Sequence, residues 1–63
     1  MPSSREIIKQ LHAAGWIHDQ TKGDHWIFKH EQNPALITVV HPRKDNPAGY
    51  VRALEKISGV KLR

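Results

Sequence analysis

Apolar residues recur along this chain with two periods, and the switches between them mark out five elements. Ile7, Ile8, Leu11 and Ala14 fall at helical spacing on one face, while Lys9, Gln10 and His12 point elsewhere. Ser3-Ser4-Arg5-Glu6 matches a capping box with Ser3 as N-cap. Gly15 is placed to end the helix in a left-handed conformation, so the spacing predicts a helix over residues 4–14. From Trp16 the period shortens to two. Residues 16–20 read as a short strand packed through Trp16, and residues 21–24 as a turn by composition. Residues 25–30 read as a second strand, with Trp26 and Phe28 on one face and His25, Ile27 and Lys29 on the other. Residues 31–34 make the next turn, and residues 35–40, rich in β-branched side chains, the third strand. Residues 41–49 hold Pro42, Pro47 and Gly49 and are expected to be irregular. A helical period returns at Tyr50, with Val51, Leu54, Ile57 and Ser58 on one face and Gly59 as the stop. Val60 is expected to fold back on the helix end, and Lys61 and Arg63 form a short basic tail.

The order is therefore α-β-β-β-α, an α+β fold. Short connections predict an antiparallel meander. Two helices would cover one face of the three-stranded sheet and leave the other open, which is the double-stranded-RNA-binding-domain topology. That topology alone does not establish RNA binding. Ile27, Ile37 and Val39 are read on the side opposite Trp26 and Phe28, so the pattern leaves open which face is bare. Trp26 and Phe28 suit either base stacking or the core, and a small domain needs its large apolar groups inside.

Size narrows the chemistry. The 63 residues make a single domain, residues 1–63. A chain this short buries only about 60% of the surface its unfolded form exposes. Any active site must be shallow, which favours a large substrate gripped from outside over a buried metabolite. Lys and Arg number 10 against 6 Asp and Glu, giving a net charge of +4 and a pI near 9.9. That excess favours an anionic partner such as nucleic acid. The absence of cysteine excludes disulfides, thiolate zinc sites and cysteine nucleophiles, and points to a reducing compartment. No apolar run reaches the length of a signal peptide or a membrane span. A cytoplasmic protein is expected.

The segment Lys22-Gly23-Asp24-His25-Trp26-Ile27-Phe28 carries the most specific chemistry. Gly23 and Asp24 form the turn that presents His25 at a strand edge. Histidine suits proton transfer because its unperturbed pKa lies near neutrality. An imidazole at that edge, with lysines nearby, can move protons beside a phosphate, which points to RNA chemistry: a base for a hydroxyl, an acid for a leaving oxygen, and positive charge at the phosphate. His25 is the candidate proton-transfer residue. Lys22, Lys29, Arg43 and Lys44 are candidate phosphate contacts. The odd spacing of His25 and His30 puts them on opposite faces of a regular strand, and there is no His-Glu-x-x-His motif. Neither a metal nor a cofactor is expected.

Several segments, in order, resemble the HicA (YcfA-like) family of mRNA interferase toxins. Leu11-His12-Ala13-Ala14-Gly15-Trp16 is like the family's leucine-to-glycine-aromatic helix exit. Gly23-Asp24-His25 with Phe28 three residues on is like its Gly-Ser-His followed by an aromatic. Val39-Val40-His41-Pro42 looks like the exit of the third strand, and Gly49-Tyr50-Val51-Arg52-Ala53-Leu54 is similar to the Gly-Thr-Leu-Arg-x-Ile start of the last helix. Ser58-Gly59-Val60 also fits. The resemblance spans residues 4–60. Asp24, Tyr50 and Gln20 depart from the serine, threonine and arginine common at those positions. The resemblance implies a metal-independent endoribonuclease acting on mRNA, with His25 as its single catalytic residue. It implies neutralisation by a HicB-like antitoxin that covers the active face, the toxin being monomeric alone and hetero-oligomeric with its antitoxin. Two other classes remain. One is a non-catalytic RNA- or DNA-binding module. The other is an inactive toxin-like subunit that docks an acidic partner.

Overall fold

The structure, a computed structural model, describes residues 2–62. Arg63, read above with Lys61 as a basic tail, lies outside the described residues. Five elements follow in the expected order: α1 (Ser4–Ala13), β1 (Ile17–Lys22), β2 (His25–His30), β3 (Asn33–Val40) and α2 (Ala48–Ser58). The strands form one antiparallel sheet in the order β1-β2-β3. None of the described helices is long and apolar enough to cross a membrane.

Ser3 caps α1 from an extended conformation, its hydroxyl accepting the Glu6 N–H at 3.3 Å. Past the end of α1, Gly15 takes φ +94, and a Cβ there would stand 3.0 Å from His30 Nε2. Both the backbone angle and the close imidazole exclude a larger residue. The turns are tighter than composition suggested. β1 runs on through Thr21 and Lys22, which pair with Trp26 and His25, leaving only Gly23 and Asp24 outside the ladder. β3 begins at Asn33 and tolerates Pro34, because an edge strand can spare a ladder N–H. α2 begins at Ala48, because Pro47 at the cap already holds φ −58.

The core is one cluster of Ile7, Leu11, Trp16, Phe28, Ile37, Val39, Val51, Leu54 and Leu62. Antiparallel partners share a face, and Phe28 pairs with Ile37 while Trp26 pairs with Val39. Ile37 and Val39 therefore lie with Phe28 under the helices. The expectation that they accompany Ile27 is overturned, because Ile27 pairs with Thr38 on the other face. Ile57, expected on the inner face of α2, is 42% exposed, and Leu62 joins the core instead. The Leu62 N–H is anchored at 2.8 Å on the Glu55 carboxylate.

Candidate active site on the open face of the sheet

Pairing fixes what the uncovered face displays. His25 has Lys22 as its partner on β1 and Val40 as its partner on β3. The next row is Gln20, Ile27 and Thr38, and beyond it Ile17 pairs with Lys29. A bulge between His18 and Gln20 lets Ile17 and Gln20, an odd number of residues apart, share this face. The open face thus has a polar end around His25 and Lys22 and an apolar end around Ile17. Leu36, next to buried Ile37 on β3, turns outward and is 56% exposed.

His25 differs from the other four histidines. His18 stacks on Trp26 at 4.6 Å and places Nε2 at 2.6 Å from the Thr21 hydroxyl. His30 donates from Nε2 to the Ala14 carbonyl at 3.0 Å and accepts the Gln32 N–H on Nδ1 at 3.0 Å, which fixes its tautomer. His41 meets the Ser4 hydroxyl through Nδ1 at 2.8 Å and sets its ring against Trp26. His12, though exposed, is edge-on to Phe28. All four serve the helix-covered side. The His25 side chain is 57% exposed, and among the described residues no hydrogen bond holds either ring nitrogen. Its nearest charged contact is Asp24, with 3.7 Å between Nε2 and Oδ1, too long for a hydrogen bond.

The candidate cations separate. Lys22 faces His25 across one strand spacing, about 5 Å. Lys29 shares the face but stands four residues along β2, about 13 Å away. Its Nζ lies 3.3 Å from an Asp19 carboxylate oxygen, so its charge is partly neutralised. Arg43 and Lys44 leave β3 at the His25 end. There the His41 N–H donates to the Asp24 carbonyl at 2.8 Å, tying this segment to the turn that carries His25.

Sequence reasoning missed the group that fixes this segment. Ser4 is 1% exposed, and its hydroxyl accepts the Arg43 N–H at 2.8 Å. Its own N–H donates to the Arg43 carbonyl at 2.8 Å. Tyr50, at the start of α2, donates its hydroxyl to the Thr38 carbonyl at 2.6 Å and carries the Arg43 guanidinium over its ring at 5.8 Å. Burial pushes the Tyr50 hydroxyl above its ordinary pKa, offset in part by a hydrogen bond with the Val40 backbone and by the Arg43 charge. The buried partners are far apart in sequence, and only the departure of Tyr50 from threonine hinted at this arrangement.

These contacts place the N-termini of both helices at the His25 end. The C-terminal carbonyls of Ala14 and Ile57 meet His30 and Asn33 at the other. Helix N-termini carry partial positive charge, which adds to Lys22, Arg43 and Lys44. The first turn of α2 holds no acidic residue and its cap no side-chain hydrogen bond, whereas Glu6 in the first turn of α1 and Asp24 beside His25 offset part of the charge at this end. The arrangement can hold a polyanion against an unengaged imidazole. Among the described residues, no group of three or more histidine or acidic side chains is placed to hold a metal.

A family model described as the HicA toxin of bacterial toxin-antitoxin matches residues 4–60. A solved structure described as a HicA3 and HicB3 toxin-antitoxin complex contains a chain 35% identical to this one. The match covers 97% of this chain and 98% of that one, with a TM-score of 0.82. No curated protein matches.

Proposed function

Because the chain belongs to the HicA toxin family of bacterial toxin–antitoxin systems, we propose that it is a metal-independent endoribonuclease that cleaves mRNA with His25 as its single catalytic residue. The observation that carries this reading is the contrast among the histidines. Four are committed to rings and hydrogen bonds on the helix-covered side, and His25 alone is presented unengaged beside Lys22.

The chemistry follows from that placement. His25 takes the 2′-hydroxyl proton as the oxygen attacks phosphorus. The bond from phosphorus to the 5′-oxygen breaks, and the leaving oxygen takes a proton from the imidazolium or from water. The product strands end in a 2′,3′-cyclic phosphate and a 5′-hydroxyl. Lys22 stabilises charge developing on the phosphate oxygens. Lys29, held by Asp19, contributes less. Purified protein should cleave single-stranded RNA in the presence of a chelator and leave cyclic phosphate ends. Products with 3′-hydroxyl ends, or loss of cleavage on chelation, would overturn the mechanism. The exposed Asp24 carboxylate beside His25 favours a second reading, an inactive subunit that only docks a partner. Absence of any product in the same assay supports it.

The solved relative stands in a complex with HicB3, and a HicB-like antitoxin is the partner proposed here. Ile17 and Leu36, 55% and 56% exposed, lie with Ile27 on the face that carries His25. A protein docked across these apolar groups would also screen His25 from RNA. Leu36→Asp would bury an unpaired charge in that contact, and antitoxin affinity should fall at least about 30-fold. RNA cleavage by the free toxin should stay within about twofold, as expected for a surface change remote from the chemistry. Unchanged affinity would place the antitoxin elsewhere. The toxin is proposed to act in the cytoplasm, monomeric until it meets the antitoxin.

A further inference from the structure

Arg43 is held more firmly than a surface arginine needs to be. Ser4 fixes its backbone at both the N–H and the carbonyl, so the root of the side chain is set. The guanidinium rests over the Tyr50 ring, and the far end of that ring is pinned to β3 through the Thr38 carbonyl. A guanidinium held by a ring through a cation–π contact spends no N–H donor on a carboxylate, so its fork stays available to two oxygens of a phosphate. Among the described residues no carboxylate pairs with Arg43, unlike Lys29 with Asp19.

Its position sets which phosphate it can reach. His41 is hydrogen-bonded to the residue before His25, and Arg43 lies two residues further on. The chain bends at His41 and Pro42, so one strand spacing plus two residues puts its backbone within roughly 10 Å of that of His25. The contact with Tyr50 holds the guanidinium beside β3 and α2, with β3 between it and the strand that carries His25. We propose that Arg43, mounted on Tyr50, forms a subsite for a phosphate flanking the scissile one. The subsite rests on the reading of this protein as a ribonuclease and gives it a preference for RNA longer than a dinucleotide. Tyr50 is a positioning residue within it.

The test compares a dinucleoside monophosphate, which carries only the scissile phosphate, with a hexanucleotide. Arg43→Ala should raise KM for the hexanucleotide about tenfold with kcat unchanged, the loss expected for one charge-assisted contact. Cleavage of the short substrate should stay within about twofold. Tyr50→Leu should reproduce the hexanucleotide defect, and Tyr50→Phe, which keeps the ring, should largely escape it. Equal losses on both substrates would move Arg43 to the scissile phosphate, and no loss on either would remove the subsite. Hexanucleotide binding is followed against salt in parallel. Arg43→Ala should lower the slope of log K against log salt by about 0.7, the value for one phosphate on a single strand. If wild type cleaves neither substrate, the ribonuclease reading fails. The salt slope then decides the subsite alone, and an unchanged slope overturns it.

Discussion

His25→Ala is expected to lower RNA cleavage by about 100- to 10,000-fold, the usual contribution of a positioned proton-transfer group, while leaving the fold intact. The side chain is 57% exposed and, among the described residues, its one charged contact is a loose 3.7 Å approach to Asp24. Surface substitutions of that kind change stability by no more than about 0.5 kcal/mol. Among the described residues the ring makes no hydrogen bond and no contact with another ring, so the loss isolates chemistry from structure. Induced expression of wild type and variant in a bacterial host, with growth and message integrity followed together, reads the effect. Wild type should stop growth and degrade message, and a folded His25→Ala should do neither. Equal toxicity of two folded proteins would remove His25 from the mechanism and point to binding alone. Equal harmlessness would favour the docking-only subunit.

Phe28→Ala is expected to abolish activity by the opposite route. Phe28 is completely buried, pairs with Ile37 across the sheet, and takes the His12 ring edge-on. Removing such a side chain costs about 3–5 kcal/mol. Total stability for a domain of this size, at roughly 0.05–0.15 kcal/mol per residue, is on the order of 3–9 kcal/mol. The variant should therefore show a much lowered or non-cooperative thermal transition by circular dichroism. A melt within a few degrees of wild type would show that the site can collapse around the loss. The two substitutions form a pair, because only a protein that melts like wild type can report on catalysis.

Local signals carried most of the fold. The Ser3 cap, Gly15 and the apolar spacing bound α1, and the bounds of β2 follow from its alternation alone. What the pattern could not settle was pairing. The run Leu36-Ile37-Thr38-Val39-Val40 is apolar on both alternating sets, so its inward set depends on which residues of β2 it meets. The bulge that places Ile17 and Gln20 on one face is a ladder property with no local signature. Leu62 enters the core past the end of α2, its N–H bonded back to the Glu55 carboxylate, a contact that no apolar period marks. At the candidate site, the glycine turn and strand alternation placed His25, Ile27 and Lys29 on one face in the sequence. The pairing of Lys29 with Asp19, and the hold of Ser4 and Tyr50 on Arg43, arise between residues brought together only by folding.

The common orientation of the two helices reaches beyond their own length. With both N-termini at one end of a molecule of net charge +4, the protein is an electrical dipole as well as a cation. An approaching polyanion exerts a torque on it before any atoms touch, turning the end that bears His25 forward. Collisions are then sorted by orientation over roughly a Debye length, about 8 Å at physiological ionic strength. Such pre-alignment raises the productive fraction of encounters. An antitoxin of opposite charge would be oriented by the same field before it settles on the apolar groups of the open face.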